Sequence, residues 1–207
     1  MSTTSSNITP PLDLFVSRLA SLLPADFAPA VRALDLGAAR PQPFSLPVCR
    51  FWDKLVAGED PLLAPLAKLG PALRWVQNPN YVAAPPSPEF LASYGYAVLA
   101  GPGGLVASGD LALGILILGP GIHYPSHNHP AVEIYVVLAG EAEWQKGEEP
   151  WRREKPGTVI RHDSMVSHAM RALGEPLLAA YVWRGDLATH ARLTESRIIP
   201  ESKKPRP

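Results

Sequence analysis

Twenty residues, G-I-H-Y-P-S-H-N-H-P-A-V-E-I-Y-V-V-L-A-G from Gly121 to Gly140, concentrate the residue types that do chemistry. They hold three of the six histidines, one glutamate and two tyrosines. His127 and His129 are two apart at a strand end, which aims both imidazoles to one face. Glu133 and Tyr135 are two apart on the strand that follows and share a face in the same way. If that face is an interior, two imidazoles, a carboxylate and a phenol converge there. Such donors accept a divalent ion and leave room for a fourth ligand and a substrate.

The fourth ligand must come from a later strand, and His162 and His168 are the candidates. Pro156-Gly157 supplies a turn before Thr158–Arg161, and Asp163 to Met165 can reverse the chain so that His168 starts the next strand. His168 is the favoured ligand. His162 lies near the turn, either facing solvent or packed behind the ligands.

The elements that position these residues follow from apolar spacing. Short runs at Tyr94–Leu99, Leu111–Leu118, Ile134–Leu138, Ala142–Gln145, Val159–Arg161 and Leu177–Trp183, punctuated by Gly-Pro, Ala-Gly and Pro-Gly, argue an all-β barrel or sandwich. No helix alternates with them, which excludes a parallel α/β sheet. Ahead of them, Leu12–Leu23 places Leu12, Phe15, Leu19 and Leu22 at helical spacing and ends at Pro24. Phe27–Leu36, Val48–Ala57 and Leu62–Leu69 read as further short helices, the last started by Asp60-Pro61. Leu73–Trp75 and an Asn78-Pro79-Asn80 turn close this region, and A-P-P-S-P from residue 84 reads as a linker. The division expected is a helical extension and linker over residues 1–88, a β-barrel with the site over 89–196, and a flexible tail over 197–207. Residues 1–11 are expected to be disordered up to the first helix.

Composition narrows the class. Lys+Arg and Asp+Glu both total 19, so net charge gives no reason to expect nucleic acid or an anionic membrane as partner. No 18-residue apolar run and no signal-like N-terminus is present, so a cytoplasmic enzyme is expected. Cys49 is the only cysteine and lies outside the strand region, so a metal site would be built from His and carboxylate.

The spacing Gly121, five residues, His127-x-His129, three residues, Glu133, six residues, Gly140 resembles the first conserved motif of the cupin superfamily at every position. The second motif, built on P-x-G and a later His, is matched by Pro156, Gly157 and His168 with a different internal spacing. The resemblance implies a mainly β fold, a cupin-type antiparallel β-barrel (double-stranded β-helix) with an N-terminal helical extension. A narrower resemblance rests on three runs: Y-P-S-H-N-H-P-A-V-E-I-Y-V-V-L-A-G-E-A-E-W, S-M-V-S-H-A-M-R and E-P-L-L-A-A-Y-V-W-R-G-D-L. Over about residues 94–190 the chain is similar to the cupin-type dimethylsulfoniopropionate lyases.

That resemblance implies β-elimination of a small carboxylate bearing a sulfonium, giving dimethyl sulfide and acrylate. Carried onto this chain, His127, His129, Glu133 and His168 hold one divalent transition metal, with zinc, iron, manganese, cobalt and nickel all compatible with three His and one Glu. The ion binds the substrate carboxylate and acidifies the α-carbon proton. Tyr135 is the first choice of base because alternation puts it beside Glu133, and a nearby cation favours its phenolate. Tyr124, expected near the barrel mouth, is the second. A sulfonium has no hydrogen-bond donors and is suited to aromatic faces, so Trp183, Tyr181, Tyr96 and Tyr124 are candidate walls. Trp144 and Trp151 are expected to pack near a turn and Arg184 and Asp186 to pair. His123 is expected behind the ligands or at the surface, and His190 in solvent.

Two other readings use the same residues. One is an Fe(II) oxygenase or another lyase acting on a different small carboxylate, and the other is a non-catalytic metal-binding cupin. The helical extension has no basic patch for nucleic acid and would either lid the barrel or support a homodimer.

Overall fold

The computed structural model describes residues 7–194, so the expected tail over 197–207 and the first six residues lie outside it. Among the described residues, six α-helices, with one short strand among them, come ahead of ten further strands. Helix α1 (Thr9–Ala20) starts earlier than its apolar spacing suggests, because Pro10 and Pro11 fit the first turn, where no backbone donor is needed. It buries Leu12, Phe15, Val16 and Leu19. The other early helices are shorter than expected: α2 (Ala28–Arg32), α3 (Trp52–Leu55) and α4 (Leu63–Leu69). The Asp60 carboxylate accepts from the backbone of Leu62 and Leu63 and so fixes the entry to α4. The Asn78-Pro79 turn and the Pro-rich stretch after it are not simple connections. Asn78 caps α5 (Pro79–Ala83), and Ser87 caps α6 (Pro88–Ser93) by accepting from Phe90.

The strands are β1 (Trp75–Val76), β2 (Tyr94–Ala100), β3 (Leu111–Leu118), β4 (His123–Asn128), β5 (Val132–Ala139) and β6 (Ala142–Lys146). They continue with β7 (Arg152–Glu154), β8 (Val159–His162), β9 (His168–Ala172), β10 (Leu177–Arg184) and β11 (Arg192–Leu193). Hydrogen bonding does not run round a closed barrel, as expected from the sequence, but within two antiparallel sheets. The first has the order β1-β2-β3-β10-β5-β8 and the second β11-β4-β9-β6-β7. Strand β1, from the helical region, is an edge of the first sheet.

Every residue of β3 is buried, because both faces of the first sheet are covered. Alternation divides them. Leu113, Ile115, Ile117, Ile134, Val136, Leu178, Ala180 and Val182 pack with Phe15, Leu19 and Leu66 of the helices in one aliphatic core. Their neighbours Leu116, Tyr135, Val137, Ala179 and Tyr181 face the second sheet, together with Tyr124, Trp144 and Met170. Tyr81 of α5 and Phe90 of α6 also enter this inner cluster. Gly140 carries the turn after β5 with φ of 75°, and a side chain there would sit 2.2 Å from the Pro176 carbonyl oxygen. No helix among the described residues is long and apolar enough to cross a membrane.

Candidate metal centre and aromatic cavity

Register brings the polar residues into rows. Across the first sheet, His162, Glu133, Trp183 and Ala112 are successive partners on β8, β5, β10 and β3. The next inward row holds Ile160, Tyr135, Tyr181, Gly114 and Val98. Opposite them on the second sheet, His127 of β4 pairs with His168 of β9. A register shift between Tyr124 and His127 lets two residues three apart both turn inward, which plain alternation forbids. His129 lies just past the end of β4, so it is the turn rather than strand pleating that delivers it.

His129, Glu133 and His168 each offer one donor atom, and these atoms all lie within 4.8 Å of one another. The Glu133 Oε2 atom is 3.1 Å from His129 Nε2 and 3.2 Å from His168 Nε2. All three residues are almost completely buried. Burial alone would raise the Glu133 carboxyl, but the two imidazoles overcome it and hold the group well below the usual carboxylate range. The His168 Nε2 atom is buried with no hydrogen-bond partner. His127, His129 and His168 share one device: each Nδ1 meets a backbone carbonyl, of Pro125 at 2.8 Å, Ala131 at 3.1 Å and Val166 at 3.0 Å. Each proton is thereby committed to Nδ1, and Nε2 is left as the free donor atom, the arrangement a metal-binding histidine needs. His127 lies outside the close group of three, but its ring centroid is 4.1 Å from that of His168. Burial, with His168 beside it, keeps its pKa well below the ordinary value. A buried orphan nitrogen, a carboxylate held in its ionised form and imidazoles whose Nδ1 atoms are tied to backbone carbonyls are a donor set that fits a divalent ion.

A cavity of about 690 Å³, including its open mouth, lies against this group. Its walls include Tyr94, Tyr96, Tyr124, Tyr135, Tyr181 and Trp183. Gly114 is what admits the Tyr181 ring, since a Cβ there would stand 2.4 Å from it. Tyr135 is buried, and burial together with the Glu133 charge pushes its phenol well above the ordinary value. Tyr124 lies in the interior rather than at the mouth: it is 3% exposed, and its hydroxyl donates to that of Tyr81 at 3.2 Å. Trp183 lines the cavity, but its indole also stacks on His129 at 4.1 Å and donates to Glu133 Oε1 at 2.5 Å.

Several expectations change. His162 does not face solvent; it is fully buried, accepts from Trp144 Nε1 at 3.0 Å, and burial lowers its pKa to about 3. Trp144 is a buried member of the inner cluster, whereas Trp151 lies against Arg171. Arg184 donates to the Asp26 carbonyl, and Asp186 accepts from Ala188 and Thr189, so these two do not pair. His123 is exposed, and His190, though exposed, lines the cavity mouth with Leu187. Sequence reasoning missed Tyr81 and Asn78. Both come from the helical region, where no spacing relates them to the strands.

A model of the dimethylsulfoniopropionate lyase family matches residues 30–179, most of the chain. This chain belongs to the dimethylsulfoniopropionate lyase family. Within that family it is 42% identical over 106 residues to dimethylsulfoniopropionate lyase DddQ of Ruegeria pomeroyi, a match covering 51% of this chain and 53% of that protein. The aligned part thus spans about half the length of the curated lyase. The crystal structure of DddQ from Ruegeria pomeroyi DSS-3 superposes with a TM-score of 0.77 at 30% identity, covering 91% of this chain and 97% of that one. A chain from the crystal structures of the lyases RdDddP and RnDddQII superposes with a TM-score of 0.72 at 25% identity, covering 91% of this chain and 100% of its own. The fold of these lyase structures is the one built here from two facing sheets.

Proposed function

We propose that this protein is a metal-dependent carbon–sulfur lyase that cleaves dimethylsulfoniopropionate to dimethyl sulfide and acrylate. The observation that carries this reading is the donor group His129, Glu133 and His168 at the wall of an aromatic cavity, with Tyr135 one strand row away, in a chain of the lyase family. His127 completes the set of ligands, since its Nε2 is freed by the same backbone contact as the other two. A divalent ion there, Zn²⁺, Fe²⁺, Mn²⁺, Co²⁺ or Ni²⁺ by donor type, supplies Lewis acidity toward the substrate carboxylate and lowers the pKa of a nearby phenol.

This chain's own residues do the rest. The carboxylate end sits by the histidines, and the sulfonium end lies among Tyr96, Tyr181 and Trp183, whose faces attract a cation that cannot hydrogen-bond. Tyr135 removes the α-carbon proton. The electron pair forms the carbon–carbon double bond, the carbon–sulfur bond breaks, and dimethyl sulfide leaves with that bond's electrons. Burial and the Glu133 charge push the Tyr135 phenol well above its ordinary value, which a divalent ion held by the neighbouring donors would offset. Tyr124, stacked flat on His127 at 3.9 Å, is one of the other hydroxyls lining the cavity and orients the substrate. The division into a helical extension over 1–88 and a region of two facing sheets over 89–196, and a cytoplasmic location, belong to the same reading.

The test is direct. Metal-loaded protein is incubated with dimethylsulfoniopropionate, and headspace dimethyl sulfide is followed by gas chromatography against a metal-stripped control. Release only from the loaded protein supports the reading; no release above background in either sample overturns it.

A further inference from the structure

The reaction as drawn makes no use of His162 or Trp144, yet both are buried beside the donors. His162 is 0% exposed and stands opposite Glu133 in the strand register. Its ring lies face to face with that of His168, with centroids 3.9 Å apart and planes 7° from parallel. Trp144 Nε1 donates to His162 Nε2, so the single proton of the neutral imidazole sits on Nδ1, which is buried and has no partner. An orphan donor in the interior is unfavourable, and an aliphatic residue would avoid it.

What an imidazole offers and an aliphatic residue lacks is a flat face whose rotation is pinned at one edge. The other two histidines are backed alike. His127 lies on Tyr124 at 3.9 Å and 5°, and the Tyr124 hydroxyl is held by Tyr81. His129 lies on Trp183 at 4.1 Å and 27°, and that indole is held by Glu133. His162, held by Trp144, is the third such plate. Trp144 also meets the Tyr135 ring edge-on at 5.0 Å, so one indole touches both the plate and the candidate base.

We propose that Trp144 and His162 are positioning residues: Trp144 pins the His162 ring, and His162 fixes the plane in which His168 presents its Nε2. This rests on the reading of the site as a metal centre. Loss of the plate would leave one face of the His168 ring unsupported, with the Val166 carbonyl at Nδ1 and the edge contact with His127 remaining, and so loosen the aim of its donor atom.

Co²⁺ affinity, by competition with a chromophoric chelator, and the visible spectrum of the Co²⁺ form are measured for wild type, His162→Ala, His162→Phe and Trp144→Phe. Circular dichroism checks that each is folded. His162→Ala is expected to weaken Co²⁺ binding by about 10–100-fold and to shift the visible bands. His162→Phe, which restores a flat face without its pin, recovers part of the affinity, and Trp144→Phe shifts the bands in the same direction as His162→Ala. Wild-type affinity and an unshifted spectrum in folded His162→Ala overturn the proposal. If that variant does not fold, the same result in Trp144→Phe does so. A wild-type protein that binds no Co²⁺ overturns the metal reading itself, a distinguishable result.

Discussion

The two faces of the six-stranded sheet are made by the same strands one residue out of step, and they are different materials. The face toward the helices is aliphatic, with Ile115, Ile134, Val136 and Val182 meeting Phe15 and Leu19. The face toward the second sheet holds Glu133, Tyr135, Tyr181 and Trp183. Burial on the first face gains free energy without a hydrogen bond to satisfy. On the second, buried polar groups need partners, and the buried side-chain atoms without one among the described residues, His168 Nε2 and His162 Nδ1, lie in or against the donor group. The outer face holds the fold together so that the inner face can keep unpaired donors.

The sharpest break of that contrast is on the inner face. Glu133→Ala removes the one carboxylate of the donor group and is expected to weaken metal binding by more than about a hundredfold. Metal content by mass spectrometry, with dimethyl sulfide release, reads both losses. Tyr135→Phe should retain the metal and lower kcat by about 10²–10⁴-fold; full turnover in that variant removes Tyr135 as the base. On the outer face, Phe15→Ala is expected to cost about 3–5 kcal/mol in urea unfolding. Its turnover per folded molecule should stay at the wild-type level, and a specific loss of kcat would blur the division of labour.

Gly114→Ala probes the boundary from the inner side. The added methyl would press on the Tyr181 ring and on the Ala97 carbonyl. A loss of about 1–3 kcal/mol is expected from overpacking, with KM raised more than kcat is lowered. The smallest effect belongs to the rim of the outer face, where Asp26 pairs with Arg161 at 2.7 Å in solvent. The Arg161 guanidinium lowers the Asp26 pKa below 3.8, so the pair's contribution is present above that pH and is lost as pH falls through the folded value. Asp26→Asn should flatten the urea midpoint between neutral and acid pH only slightly, because water screens the pair.

How much of this was legible differs by element. The run L-A-L-G-I-L-I-L gave β3 with correct ends, because a strand covered on both faces reads as an unbroken apolar stretch. The spacing of Glu133 and Tyr135 placed both on one face, since β5 is regular there. The same rule failed for Tyr124, because it presumes regular pleating and a bulge intervenes before His127. His162 was left between solvent and a place behind the ligands, since its nearness to a turn says nothing of what stacks over it, and the structure puts it behind His168. Helices α5 and α6 were read as turn and linker, because their prolines occupy first turns, where they do no harm.

By itself the sequence named the candidate donors, carried the resemblance to the family and set the alternation that sorts aliphatic from polar residues along β5 and β10, because these are written in local runs of residues. Only the tertiary structure decided what backs the Gly121–Gly140 stretch: His162 stacked behind His168, and Tyr81 against Tyr124. His168 and His162 from later strands, and Tyr81 from the helical region, reach it through sheet register and packing, which couple residues tens of positions apart and leave no periodic trace in the chain.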